Sequence, residues 1–119
     1  MKVLFDQGTP VPLRRHLSSH EVTTVYELAW STLQNGALIS QAEAAGFEVL
    51  VTTDKNWRYQ QNLNERRVAV VVLLSTSWPK IQAKVSEVVV AVDGATPGQL
   101  YRSASLRYEE AEVIAAALG

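Results

Sequence analysis

Short apolar segments alternate along this chain with segments whose apolar residues recur every three or four positions. The apolar segments predict strands at 3–5, 21–24, 48–53, 68–74 and 100–104. The fourth is an unbroken run of seven apolar residues, which is typical of a strand buried on both faces of a parallel sheet. Strands that alternate with amphipathic helices indicate helices packed on such a sheet. We therefore predict an α/β fold with a mostly parallel central sheet of four to five strands.

Helices are predicted between the strands. One begins at Asn35-Gly36, and Gly46 is expected to end it in a left-handed conformation. Its apolar stripe consists of Leu38, Ile39, Ala42 and Ala45. Thr9 is expected to cap a helix that has Pro10 at its first position. The remaining helical segments are expected at 25–30, 55–63 and 108–118, with one long helix from Pro79 to residue 92.

The composition is that of a single domain. With 119 residues, 47% of them hydrophobic, the chain is long enough to bury one core. It contains no cysteine, which excludes disulfides, zinc–thiolate sites and iron–sulfur clusters. No apolar run reaches the length of a transmembrane helix, and the first residues lack the apolar stretch of a signal peptide. We expect a cytoplasmic protein that has no contact with a membrane.

The charges are balanced, with 11 basic and 12 acidic residues and a formal net charge of −1. This balance excludes a protein that coats nucleic acid through a large basic surface, but it allows a local RNA-binding patch. Arg14 and Arg15 are suited to hold RNA phosphates, with a solvated helix face as the alternative interpretation. His16 and His20 are expected at the surface.

Polar residues close three of the predicted strands. Asp6 follows the first strand, Thr52, Thr53 and Asp54 close the third, and Ser75 and Thr76 follow the fourth. Ligands of open parallel sheets bind beyond the carboxyl ends of the strands, so Asp6 and Asp54 meet at one edge if their strands are neighbours. Two carboxylates there suit Mg²⁺, which is held by one or two carboxylates, waters and a substrate phosphate. The alternative is that each aspartate caps a helix.

The order of several short motifs is more specific than any one residue. Asp6 with Pro10 comes first, followed by Asn35-Gly36, by Thr52-Thr53-Asp54-Lys55-Asn56, by Tyr59-Gln60-Gln61-Asn62 and by the apolar strand at 68–74. In this order the chain resembles the PIN-like ribonuclease family, and within it the small single-domain VapC-like toxins of bacterial toxin–antitoxin pairs. The resemblance covers residues 1–76 well. It implies a PIN-like three-layer α/β/α fold, with a nuclease domain over 1–106.

The resemblance further implies a metal-dependent ribonuclease that uses Mg²⁺ or Mn²⁺, cleaves RNA, is blocked by a cognate antitoxin protein and forms a homodimer. Asp6 and Asp54 would be the catalytic metal ligands. Asn35 would position the neighbouring helix, and Asn56, Gln61 and Asn62 would line the site. Residues 107–119 would be a helix of the same domain or a partner-binding extension.

Residues beside Asp54 add a possible contact with RNA. Lys55, Arg58 and Tyr59 form a small basic-aromatic cluster. An unpaired base could stack on Tyr59 or on Trp57, although packing in the core is the alternative for Trp57. We therefore place Arg14, Lys55 and Tyr59 among the candidate substrate-binding residues.

Two departures from the family pattern leave the activity open. The family commonly has an acid after the first aspartate and a glutamate after Asn-Gly, whereas this chain has Gln7 and Ala37. Fewer carboxylates weaken a Mg²⁺ site, so a module that binds antitoxin or RNA without efficient cleavage is the alternative. A phosphoacceptor receiver domain is disfavoured, because it needs an acidic pair where Asp6-Gln7 stands and a lysine where Tyr101-Arg102 stands. A purely structural α/β domain would leave the amide-rich segment 59–62 without a role.

Overall fold

The computed structural model describes residues 1–33, 35–54, 67–95 and 100–102, with the backbone alone at 35 and 100–102. Five strands form one sheet in the order β2-β1-β3-β4-β5, and every neighbouring pair is parallel. The strands are β1 (Lys2–Phe5), β2 (Glu21–Thr24), β3 (Val49–Thr52), β4 (Ala69–Val72) and β5 (Leu100–Arg102). The predicted α/β fold with a parallel sheet of up to five strands is thereby confirmed.

Burial of the strands follows from their sequences. All residues of β3 and β4 are buried, as expected of apolar strands with neighbours on both sides. The predicted interior strand at 68–74 is confirmed, while β3 is the middle strand of the sheet. The strand expected at 100–104 is β5 and lies at an edge of the sheet, also as predicted.

Two apolar clusters form the core, one on each face of the sheet. Alternate side chains of a strand point to opposite faces, so Leu4 belongs to one cluster and Val3 and Phe5 to the other. Helix α1 (Asn35–Ala44) contributes to the Leu4 cluster. The second cluster is covered by a 3-10 helix (Val11–Leu17), α2 (Trp78–Ala83) and α3 (Val85–Asp93).

Predictions around α1 are largely confirmed. The helix begins at Asn35 as expected, and Gly46 has a φ of +85°, the left-handed conformation predicted for it. Leu38, Ile39 and Ala42 are buried in the core. Ala45, expected on the same apolar stripe, is instead exposed, because the helix ends at Ala44 and the chain turns toward β3.

The helix expected after Thr9 differs from the prediction in its type and its cap. It is a 3-10 helix with Pro10 at the N-cap position and a second proline in its first turn. Proline has no N–H to donate, so the first turn offers few groups for a side-chain cap. The Thr9 hydroxyl donates instead to the carbonyl oxygen of Val51 across 3.0 Å.

The prediction of one long helix from Pro79 was wrong. Two helices, α2 and α3, are separated at Lys84, whose φ of −119° and ψ of 21° are not helical. Ile81 and Val88 pack in the same apolar cluster on either side of this break. The segment at 25–30 forms hydrogen-bonded turns rather than a helix, with Ala29 at a φ of 59°.

The two histidines differ in burial. His16 is exposed, as predicted, but the His20 side chain is only 8% exposed, so the surface prediction was wrong for His20. Its Nε2 lies 2.5 Å from Oδ1 of Asp93, the last residue of α3. The helices expected at 55–63 and 108–118, and the extension at 107–119, lie outside the described residues. Among the helices that the structure describes, none is long and apolar enough to cross a membrane.

Candidate functional site

The predicted pairing of the two aspartate-bearing strands is confirmed. Strands β1 and β3 are parallel neighbours with Phe5 opposite Val51, and the Asp6 N–H donates to the Val51 carbonyl across 2.8 Å. Asp6 therefore follows β1 at the edge where β3 also ends. Asp54 lies two residues beyond the end of β3. Both aspartates thus belong to the carboxyl edge of the sheet.

Thr52 joins the two aspartate positions through its side chain. Its hydroxyl donates to Oδ2 of Asp6 across 2.8 Å and accepts the backbone N–H of Asp54 across 3.1 Å. Thr52 is fully buried in the last position of β3, so water does not compete for either bond. One hydroxyl therefore fixes both the Asp6 carboxylate and the backbone that carries Asp54.

A second donor orients the Asp6 carboxylate. The Gln7 N–H donates to Oδ1 of Asp6 across 2.8 Å, while Thr52 holds Oδ2. Each of the two carboxylate oxygens therefore accepts a hydrogen bond, and the carboxylate is held at both ends. Gln7 departs from the family pattern only in its side chain. Its backbone N–H donates to Asp6, which any residue other than proline could do at this position.

The loop after Asp6 packs tightly on β3. Gly8 has a φ of +88°, and a Cβ at this position would lie 2.8 Å from the Thr53 Oγ1. Real Cβ atoms do not approach that closely, so glycine is required here by both the backbone angle and the contact. The next residue, Thr9, is anchored to the Val51 carbonyl. The loop therefore lies against three successive residues: Val51 and Thr52, which end β3, and Thr53, which follows it.

The donor set fits a hard divalent cation. Asp6 and Asp54 follow two neighbouring strands at this edge, and Mg²⁺ prefers oxygen ligands with several of its waters retained. No group of three or more histidines, aspartates and glutamates arranged for a metal occurs among the residues that the structure describes. A cation would therefore depend here on the two carboxylates together with water and a substrate phosphate.

Ser75 and Thr76 follow β4 at the same edge, as the sequence predicts. The Ser75 hydroxyl accepts the N–H of Ser77 across 3.0 Å, which closes a local turn at the entry to α2. Thr76 is exposed. Ser75 thus has a structural contact that explains a hydroxyl residue at this position.

Arg14 is paired with Glu27, a residue that the sequence analysis missed. Its guanidinium lies 2.5 Å from Oε1 of Glu27, and the same oxygen accepts the N–H of Thr24. The Thr24 hydroxyl in turn accepts the N–H of Glu27. These contacts, first the Thr24 N–H and then Arg14, hold the pKa of the Glu27 carboxyl below its ordinary value. The Thr-x-x-Glu spacing of a capping box was the available signal.

The other predicted substrate-binding residues lie where the structure gives limited or no description. Asn35 is the first residue of α1, and its backbone alone is described. The remaining five, Lys55, Asn56, Tyr59, Gln61 and Asn62, lie outside the described residues. Their roles stay predictions from the sequence.

Comparison with known proteins gives no match to a protein-family model, to a curated protein or to a solved structure. The family resemblance therefore stays a prediction from the motifs.

Proposed function

We propose that this protein is a metal-dependent endoribonuclease of PIN-like three-layer fold, the toxin of a bacterial toxin–antitoxin pair. The observation that carries the proposal is the Thr52 hydroxyl, which joins Oδ2 of Asp6 to the backbone N–H of Asp54. A buried hydroxyl with these two partners fixes the Asp6 carboxylate and the Asp54 backbone at the edge where parallel sheets bind ligands. The motif order of residues 1–76 supports the nuclease class.

Asp6 and Asp54 are the residues that would hold Mg²⁺ or Mn²⁺ in this proposal. When bound, such an ion supplies polarisation of a phosphodiester and orientation of the attacking water. The chain's own part is preorganisation, because the Gln7 N–H and the Thr52 hydroxyl keep the Asp6 carboxylate in one orientation before any ligand arrives. The cognate antitoxin protein, the RNA substrate and a homodimer belong to the same proposal.

A second candidate function is a nuclease-like module that binds antitoxin or RNA without efficient cleavage. Gln7 and Ala37 stand where family members commonly have acids. The described part of the chain also contains no cluster of three or more potential metal-ligating residues. Both observations favour a weaker metal site, and they make metal affinity the property that separates the two candidates.

The test is Mn²⁺ binding by titration calorimetry, on the wild-type chain and on Asp6→Asn and Asp54→Asn. Glu21→Gln is the matched control, since Glu21 is an exposed carboxylate at the start of β2, the opposite end of the sheet. We expect binding in the micromolar to millimolar range that both aspartate variants lose and the control retains.

RNA cleavage separates the two candidate functions. Mn²⁺-dependent cleavage that is lost in Asp54→Asn and kept in Glu21→Gln would establish the nuclease. Mn²⁺ binding without cleavage, or no binding at all, would favour the binding module. Equal Mn²⁺ affinity in the wild-type chain and in both aspartate variants would show that the metal site is elsewhere and would refute the assignment.

A further inference from the structure

An aromatic pair lies on the outer side of the elements that cover the second apolar cluster. The rings of His16, in the 3-10 helix, and Trp78, the first residue of α2, have centroids 5.8 Å apart and are inclined at 42°. His16 is exposed, whereas Trp78 is partly buried where it packs against the cluster. The pair therefore presents an aromatic surface to solvent from a rigid support.

Along the chain, one member of this pair, Trp78, comes soon after the carboxyl end of β4. Trp78 follows β4 after a short connection that ends in the turn between Ser75 and Ser77. All strands are parallel, so β4 ends at the same edge as β1 and β3, which carry the two aspartates. A strand of nucleic acid that contacts Trp78 would thus meet a helix that follows the edge at which β1 and β3 also end.

A basic side chain precedes one of the aromatic rings. Arg15 comes directly before His16 in the 3-10 helix and is exposed. The carboxylates on the neighbouring α3 are Glu87, which is partly buried, and Asp93, which contacts His20. Aromatic faces with flanking basic groups are the combination by which proteins bind single-stranded nucleic acid.

We propose that His16 and Trp78 form a stacking site for an unpaired base of single-stranded RNA, with Arg15 beside its phosphates. This inference rests on the proposed function for the identity of the ligand, but it uses none of the residues of the metal site. Stacking is the physical basis, since every base offers a flat face and aromatic side chains provide the complementary surface. The site would hold the substrate strand next to the carboxylate edge.

The test is the affinity for a fluorescein-labelled RNA of about 12 nucleotides, a length within the usual range of single-strand sites, measured by anisotropy in EDTA. EDTA prevents cleavage and removes any metal-dependent contact. We expect His16→Ala and Trp78→Leu to weaken binding by about fivefold or more each. Trp78→Phe and His16→Phe keep a ring and should retain most of the affinity. Thermal unfolding of each variant establishes that it is folded.

Matched controls are available elsewhere on the surface. Tyr26→Ala removes an aromatic ring that is 58% exposed, and Arg67→Ala removes an exposed basic residue. Both should bind RNA like the wild-type chain, whereas Arg15→Ala should bind less and show a weaker dependence on salt. Asp54→Asn should not weaken RNA binding in EDTA, because it removes a negative charge, so loss of the metal site and loss of the stacking site are distinguishable. Unchanged affinity in folded His16→Ala and Trp78→Leu, or no RNA binding by the wild-type chain, would overturn the proposal.

Discussion

The Thr52 hydroxyl donates to Oδ2 of Asp6 across 2.8 Å. Thr52 is the last residue of β3, the middle strand of the sheet, and Asp6 directly follows the neighbouring strand β1. Because Thr52 is fully buried, the position of this hydroxyl is set by the core rather than by the loop. The orientation of the Asp6 carboxylate is therefore a property of the rigid sheet. A side chain held in this way needs little rearrangement to bind a cation.

Replacement of Thr52 by valine tests this relationship. Valine has nearly the shape of threonine but removes the hydroxyl that the Asp54 N–H donates to and that donates to Oδ2 of Asp6. We expect Thr52→Val to lower the free energy of unfolding by about 1–3 kcal/mol, as for other unsatisfied buried polar groups. If the proposed metal site exists, its Mn²⁺ affinity should fall by about 10–100-fold, and Thr52→Ser should restore most of it. Equal Mn²⁺ affinity in Thr52→Val and the wild-type chain would contradict the positioning role.

The contact between Gly8 and Thr53 gives a second prediction. Gly8→Ala introduces a Cβ both at a positive φ and 2.8 Å from the Thr53 Oγ1, whereas at Gly46 the nearest atom would be 3.8 Å away at a similar φ. We expect Gly46→Ala to cost about 1–2 kcal/mol in urea unfolding, which is the cost of the backbone angle alone. Gly8→Ala should cost more.

A double variant isolates that excess. Thr53→Ala removes the Oγ1 that the new Cβ would meet, so Gly8→Ala should cost less in the Thr53→Ala background than in the wild-type chain. The difference is the coupling between the two positions. Additive effects would mean that the loop moves away from Thr53 without cost.

Much of the fold could be predicted because apolar patterning reports burial directly. The run at 68–74 specifies an interior strand, and the position of Gly46 specifies where α1 ends. The break at Lys84 could not be predicted in this way, since the apolar spacing of Ile81, Val85 and Val88 continues across it. Periodicity shows which residues face the core, but it does not show that the backbone leaves the helical conformation between them.

The core itself yields a third prediction. Leu50, on the middle strand, is fully buried in the apolar cluster that α1 covers. Leu50→Ala should lower the free energy of unfolding by about 2–5 kcal/mol, because it removes apolar contacts and leaves a cavity. Val90, on α3, is 53% exposed, so Val90→Ala should change the free energy by no more than about 0.5 kcal/mol. Similar losses for the two variants would be inconsistent with this core.

The candidate site was only partly predictable. Asp6 and Asp54 follow from the rule that ligands bind at the carboxyl ends of parallel strands, once β1 and β3 are neighbours. The bridging role of Thr52 was missed, although a hydroxyl in a buried strand must find a hydrogen-bond partner. The Arg14–Glu27 pair was missed because it joins two segments whose approach depends on the loop geometry after β2. The sequence shows directly which side chains are charged, but it does not show which of them come into contact in the folded chain.

The Arg14–Glu27 pair predicts a specific pH dependence. The Glu27 pKa is lowered first by the hydrogen bond from the Thr24 N–H and then by Arg14. The folded state therefore keeps Glu27 ionised at pH values where the unfolded chain has it protonated. Its stabilising contribution is complete above the unfolded pKa and is lost as the pH falls through the lower, folded pKa.

An NMR titration that follows the Glu27 side-chain carboxyl carbon tests whether Thr24 and Arg14 lower the Glu27 pKa. Arg14→Gln should raise the Glu27 pKa, but not to its ordinary value, because the Thr24 N–H remains a donor. Arg15→Gln removes an equal charge from the next, exposed position of the same helix and should leave the pKa lowered. An identical titration in Arg14→Gln and the wild-type chain would show that the guanidinium does not contribute in solution. Arg14 would then be available to bind substrate phosphate, the role that its position beside the Asp6 loop first suggested.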